Sequence, residues 1–470
     1  MSKKKEQSIS TLHGKPVTRR DFLAAGLIQF SATMAIPTVA GMLLHGRKAY
    51  GQDLLCSSGA VSDLCPFITV NLSGGAALSA NFVPHDKGKQ LLSSYSKMGM
   101  GSGANLTLIR DFANQAPFFA GSGFYQGLSQ SSTTFVRMMS AFVGVCYRSQ
   151  DDSSTNKQDL SGLVLKAGAK GTMLPNLGIN SQNGTGTKNM HAYIKPSAPL
   201  YVRRVEDIRG ALQLGGVLSA LDPSQQTKML QAANSMSASQ QTKYMQMTAG
   251  EMLAQLFGCA NQDNTKLISN GGSANIDPMA NAAFAAIWGI TANTATNNRD
   301  YIFGSMVYNA LLGNSSTVNL EMGGYDYHNN TRTTGDAADV NAGTVVGRIL
   351  SSAALLGKKC FIVVMSDGSV TSPESDTAGA PWSSDRGSAG CAYMLAYNPL
   401  LAPTAKSFQL GHYTSGQAAD DTFLIGGSPE MAAGAIFANY MSFNGKSALI
   451  ENILPRVFSS TDIDLVTVLG

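Results

Sequence analysis

The stretch Lys358-Lys359-Cys360-Phe361-Ile362-Val363-Val364-Met365-Ser366-Asp367-Gly368 constrains this chain most. Its apolar run, Phe361 to Met365, holds two valines and lies between lysines and an abrupt Ser-Asp-Gly stop. A run that short and apolar on both faces reads as a fully buried strand of a parallel sheet. In open α/β sheets, chemistry gathers just beyond the carboxyl ends of such strands. This strand delivers Asp367 there. Upstream, Gly323-Gly324-Tyr325-Asp326-Tyr327-His328 forms a turn able to deliver a second carboxylate and an imidazole. A helical pattern follows it to about Leu356. Downstream, a polar loop runs on to Ser384-Asp385-Arg386-Gly387.

The rest of the chain fits around this unit. Pro66 to Leu72 reads as a buried strand that ends in Ser73-Gly74-Gly75, where glycines let the backbone turn sharply and approach a ligand. Phe135 to Val145 reads as another strand, ending near Arg148, Ser149 and Gln150, with Asp151 and Asp152 beyond. Residues 153–200 read as long loops. Asp222-Pro223 starts a helix expected to reach about Leu256, with Met229, Met236, Met245 and Met247 as core packing. A second helical region is expected over Met279–Leu312. A short strand is expected at Thr422–Ile425 and an apolar helix at Pro429–Met441. Strands alternating with helices in this order fit a layered α/β domain with a mostly parallel sheet. No linker stands out within 60–470, so residues 52–470 read as one domain with a helical insertion near 222–312.

Composition limits the function classes. Hydrophobic residues make up 44% and charged residues only 14% of the 470, so the chain can bury a large core and is not disordered. Ser, Thr, Asn, Gln and Gly must cover much of the surface, as in many exported proteins. The net charge of +4 lies partly in the first twenty residues, and no basic block remains to bind nucleic acid. None of the six cysteines forms a Cys-x-x-Cys pair, which argues against a zinc ribbon. Cys56 and Cys65 flank a short Ser/Gly loop and are candidates for a disulfide in an oxidising compartment.

Residues 1–51 read as an export signal. Lys3, Lys4 and Lys5 lead into Thr18-Arg19-Arg20-Asp21-Phe22-Leu23, followed by an apolar run from Ala24 to Leu44 and a small-residue cleavage site at Ala49-Tyr50-Gly51. This segment resembles a twin-arginine leader. The resemblance implies a passage through the twin-arginine translocase to the periplasm or the cell exterior, with membrane anchoring if the leader is kept.

Four segments line up: Gly74-Gly75, Arg148-Ser149, the Gly-Gly-Tyr-Asp-Tyr-His turn, and the Asp367 strand end with its Asp385-Arg386-Gly387 loop. Together with the leader they resemble a bacterial family of exported proteins of unknown function in the alkaline phosphatase/sulfatase superfamily. The resemblance implies an alkaline phosphatase-like layered α/β sandwich with a mostly parallel central sheet. It also implies hydrolysis of phosphate or sulfate esters with zinc, calcium or manganese, held by Asp326, His328, Asp367 and Asp385, with Ser149 as nucleophile. Two metals clamping the attacking and leaving oxygens would stabilise an in-line displacement.

The chain departs from the family's motifs. Family members carry Gly-Gly-Asn-Asp-Gly at the first turn, where this chain has Ala77 at the aspartate position. They carry Ser-His at the second strand end, where it has Ser149-Gln150. They carry Ser-Glu-Phe-Gly-Arg at the central strand end, where it has Ser366-Asp367-Gly368-Ser369. They carry Asp-His-Gly in the last loop, where it has Asp385-Arg386-Gly387. Only Asp326 and His328 match in full. With six histidines in the chain, two of them in the leader, a full ligand set would need distant His191 or His412.

The ligand count therefore favours a catalytically degenerate envelope protein that binds a protein or glycan partner, or is structural. Arg386 would then replace the cation's charge among Asp326, Asp367 and Asp385. The alternatives are a metal-dependent ester hydrolase with a shifted ligand set, and an anion site clamped by Arg148 and Arg386. The bland readings are Asp326 as a helix cap, Asp367 as a turn residue, His412 as an ordinary loop histidine and Asp420-Asp421 as a solvated turn.

Overall fold

The structure is a computed structural model that describes residues 64–101, 105–149, 160–169, 171, 174, 176–179, 199–212, 222–246, 265, 276–327, 331–371, 382 and 387–470. Among the described residues the strands are β1 (Phe67–Leu72), β2 (Leu108–Ile109), β3 (Phe118–Phe119), β4 (Ser140–Cys146), β5 (Asn176–Gly178), β6 (Leu200–Tyr201), β7 (Thr317–Met322), β8 (Cys360–Ser366), β9 (Cys391–Tyr397) and β10 (Gln409–Leu410). Strands β2 and β3 form a separate ribbon, and the other eight form one sheet in the order β10-β4-β9-β8-β1-β7-β5-β6. Within it β1 pairs parallel with β7 and β8, β5 with β6 and β7, and β10 with β4. Only β9 runs against its neighbours, β4 and β8. The protein is thus α/β, with a large, mostly parallel mixed sheet.

The longer helices and the short one after β1 are α1 (Leu78–Asn81), α2 (Gly123–Ser131), α3 (Leu160–Lys166), α4 (Pro223–Tyr244), α5 (Arg299–Leu311), α6 (Arg332–Leu355) and α7 (Pro429–Phe443). Every residue of β1 and β8 is buried, as expected for strands covered on both faces. Ile68, Val70, Ile362 and Val364 pack into one core with residues of α2, α5 and α6. Phe67, Phe361, Val363 and Met365 pack into a second core with α3, α7 and the helix Ser460–Val466. The two-residue period of the strands thus feeds two helical layers. On the first layer, α2 and α6 touch backbone to backbone. A Cβ on Gly127 would lie 1.9 Å from the Val340 carbonyl oxygen, and one on Gly343 would lie 1.8 Å from that of Phe124.

Several expectations are corrected. Phe135 lies in the short helix Thr134–Met138, capped by the Thr133 hydroxyl, and the strand begins only at Ser140. Residues 153–200 are not all loop, since α3, β5 and part of β6 fall there. The Asp222–Pro223 start holds, with a reciprocal cap between Asp222 and Gln225, but α4 ends at Tyr244 and its C-cap Met245 is exposed rather than core. Met229, Met236 and Met247 lie outside the residues whose side chains are described. The region 279–312 is two helices, Ala282–Ile287 and α5, separated by a loop. Thr422–Ile425 is a turn, because the Asp420 carboxylate accepts from both the amide (3.0 Å) and the hydroxyl (2.6 Å) of Thr422. Strand β9 had no counterpart in the sequence reading.

Candidate functional site

The four segments singled out in the sequence converge at the carboxyl end of β1 and β8. In-register pairing sets Leu72 beside Ser366, so both strands stop at one level. Ser366 donates its hydroxyl to the Leu72 carbonyl (2.6 Å) and accepts from the Ala76 amide (2.8 Å). Asp367 follows, and its Oδ1 accepts from the amides of Gly74 (3.1 Å) and Gly75 (3.0 Å). Those amides point inward because both glycines sit at positive φ, +112° and +87°. Burial raises the Asp367 carboxyl above the usual carboxylate range, against the pull of these amides.

The Gly-Gly-Tyr-Asp-Tyr turn closes over the same glycines. Tyr325 donates its amide to the Ser73 carbonyl (3.1 Å), and a Cβ on Gly74 would stand only 2.9 Å from the Asp326 amide nitrogen. Tyr325 and Tyr327 are buried while Asp326 between them is exposed, the alternation of an extended segment. The Asp326 backbone carbonyl accepts from the Thr331 hydroxyl (2.7 Å), and Thr331 is the N-cap residue of α6.

Arg148 and Ser149 reach the site from the end of β4. The Ser149 amide donates to the Gly387 carbonyl (2.8 Å), and its hydroxyl donates to the Asp367 carbonyl (3.0 Å). A Cβ on Gly390 would come within 2.8 Å of the Ser149 Cβ. Ser149 is therefore buried and its proton is given to backbone carbonyls, which do not activate a hydroxyl. Arg148 is exposed, with its amide on the Gly426 carbonyl (2.7 Å). His328, Asp385 and Arg386 lie outside the described residues, as does Cys56. Cys65 is a buried thiol whose pKa is pushed up to about 12 by burial, and its amide donates to Asn444 (2.9 Å).

The described residues do not fit a two-metal centre. Among them no three His, Cys, Asp or Glu side chains converge. Ala77, at the position where the resemblance expects aspartate, packs in an apolar cluster with Tyr95, Met98, Tyr327 and Tyr413. Asp326 and Asp367 flank Gly74 from two sides, which is fewer ligands than the four of a closed site.

Two arrangements escaped the sequence reading. His412 is not a lone loop histidine: its Nε2 meets Asp420 Oδ2 at 2.8 Å, and both are half-buried. They are eight positions apart in a Gly/Ser/Thr-rich loop, and no spacing rule joins them. The second lies behind the turn. Asp339 of α6 is fully buried, and its Oδ2 accepts from Asn81 (2.7 Å) and the Tyr327 hydroxyl (2.8 Å), while its Oδ1 has no partner. Burial raises its pKa to about 7. Its sign in the sequence is a carboxylate on the same helical stripe as Ala342 and Val346.

No protein-family model matches this chain, and no curated protein matches it.

Proposed function

We propose that the chain is an exported envelope protein with a fold like that of the alkaline phosphatase/sulfatase superfamily, in which a hydrolytic centre has given way to a self-satisfied turn. It acts by binding an envelope protein or a glycan, or as a structural element. One observation carries this reading: the Asp367 carboxylate at the tip of the central strand is occupied by the Gly74 and Gly75 amides. Its Oδ1 is held as an acceptor for two backbone N–H groups, which leaves only Oδ2 to meet a cation. The apolar setting of Ala77 and the carbonyl-bound hydroxyl of Ser149 support the same reading.

A metal-dependent phosphoester or sulfoester hydrolase with a shifted ligand set is the second reading. It is favoured by the exposed Asp326 carboxylate beside Gly74, with His328 two positions on. Elemental analysis by mass spectrometry of protein purified without chelator separates the two, with Asp326→Ala beside it. The first reading expects no stoichiometric metal in either protein. Near-stoichiometric zinc, manganese or calcium that disappears in Asp326→Ala overturns it and establishes the second.

A further inference from the structure

The end of the sheet opposite the site carries an apolar surface. Phe135 and Met138 stand on the short helix that leads into β4, and are 70% and 57% exposed. Leu400 and Leu401, just past the end of β9, are 90% and 72% exposed. The two segments are neighbours, because Ser140 pairs with Tyr397 and the Asn398 amide donates to the Met139 carbonyl (3.4 Å). Single exposed apolar residues need no explanation, but four from adjoining segments form a patch. Leu355, 43% exposed, ends α6 at the same end of the sheet, shortly before β8.

The described chain also enters here. Cys65 and Pro66 lie against Asn444 and Phe361 at the start of β1, two strands from β9 in the sheet and therefore roughly 10 Å away. The apolar run Ala24–Leu44 comes before that entry, and the stretch His45–Asp63 between them can reach at most roughly 70 Å. Charge at this end is basic around the entry. Lys358 is exposed and Lys446 half-buried there, Lys406 is exposed before β10, and Lys359 lies over the Phe443 ring at 3.8 Å with its ammonium on the Phe443 carbonyl. Asp111, behind the Phe135 helix, is neutralised by Arg137 at 2.6 Å.

From this placement we infer that the amino-terminal end of the sheet is a lipid-facing surface. Phe135, Met138, Leu400 and Leu401 enter the headgroup region of an anionic bilayer, and exposed Lys358 and Lys406 hold its phosphates. The site at the carboxyl end then faces away from the membrane. The inference rests on the envelope reading above, but the patch is tested without it. No described helix is long and apolar enough to cross a membrane, so the surface lies on the bilayer and does not span it.

The experiment uses the full chain in a Cys56→Ser background. An environment-sensitive fluorophore is attached at Leu400→Cys or, at the opposite end, at Ser415→Cys. Vesicles of phosphatidylethanolamine and phosphatidylglycerol are added, with nitroxide-lipid quenchers. The expected result is a blue shift and about a twofold or greater rise at position 400, quenched by shallow nitroxides, with no change at position 415. Leu400→Ser with Leu401→Ser lowers vesicle partitioning at least about tenfold. The inference is overturned if the label at 400 stays aqueous on vesicles, even when the chain sediments with them through residues 24–44. It is equally overturned if that label is shielded before lipid is added, which assigns the patch to the leader or to a second copy. Cell fractionation judges the envelope reading separately: recovery in the cytoplasm sinks that reading and leaves the vesicle result standing.

Discussion

Asp367 and Asp339 are both buried near the carboxyl end of the sheet, and burial raises both carboxyls. They differ in how their oxygens are met. Asp367 sits at a strand tip and collects two backbone amides on Oδ1, with the Ser366 hydroxyl at 3.3 Å. Asp339 projects from a helix into a side-chain pocket, where Asn81 and Tyr327 share Oδ2 and Oδ1 meets nothing. Backbone amides at a glycine turn are fixed donors that cost no side-chain entropy to aim. The first carboxylate therefore builds structure, and the second is a buried charge only half compensated.

Removing each group sharpens that contrast. Asp367→Ala leaves the Gly74 and Gly75 amides without an acceptor and the turn without its tie to β8. At about 1–3 kcal/mol for each stranded donor, the expected loss is about 4 kcal/mol in urea denaturation. Asp367→Asn keeps one acceptor oxygen and should lose about half of that. A loss below about 1 kcal/mol in Asp367→Ala would mean that the cradle is incidental, and the case against a metal there would go with it.

Asp339 predicts the opposite behaviour with pH. Its folded pKa, about 7, lies above the ordinary 3.8, so the native state binds the extra proton. Its contribution to stability is full below about pH 4, falls as pH rises, and is gone above pH 7. Between pH 5 and pH 8 that amounts to about 2–3 kcal/mol of stability lost by the parent. Asp339→Asn cannot ionise and should flatten the slope over this window. Parent and variant with the same slope between pH 5 and pH 8 would place the titration elsewhere and remove the distinction drawn here.

The sequence showed these regions unequally, for physical reasons. Strand β8 was readable because burial on both faces needs a continuous apolar run, and its Ser-Asp-Gly stop is equally local. Strand β9 was not, because Cys391-Ala-Tyr-Met-Leu-Ala-Tyr397 mixes helix and strand formers, and only its two neighbours decide between them. The meeting of Gly74-Gly75, Asp326, Ser149 and Asp367 was expected from the resemblance, with Gly74-Gly75, Ser149 and Asp367 at strand ends and Asp326 in a turn. That Asp367 gives its oxygen to the Gly74 and Gly75 amides was not, since it depends on the positive φ of both glycines and the register of β1 against β8. Asp339 was invisible because its partners, Asn81 and Tyr327, come from two other segments.

Asp326 is the third carboxylate at this end and gives the smallest expected effect. It touches the same glycine as Asp367 but from the solvent side, and buried Tyr325 and Tyr327 hold its backbone on either flank. Its backbone carbonyl accepts from Thr331, a bond that survives any substitution that keeps the backbone. Because Asp326 is exposed, Asp326→Ala should change stability by no more than about 0.5 kcal/mol. A loss above about 2 kcal/mol would make the exposed carboxylate part of the same scaffold as Asp367. A stable fold is the more useful outcome, because any change in ligand or metal binding in Asp326→Ala can then be read as chemistry at the turn.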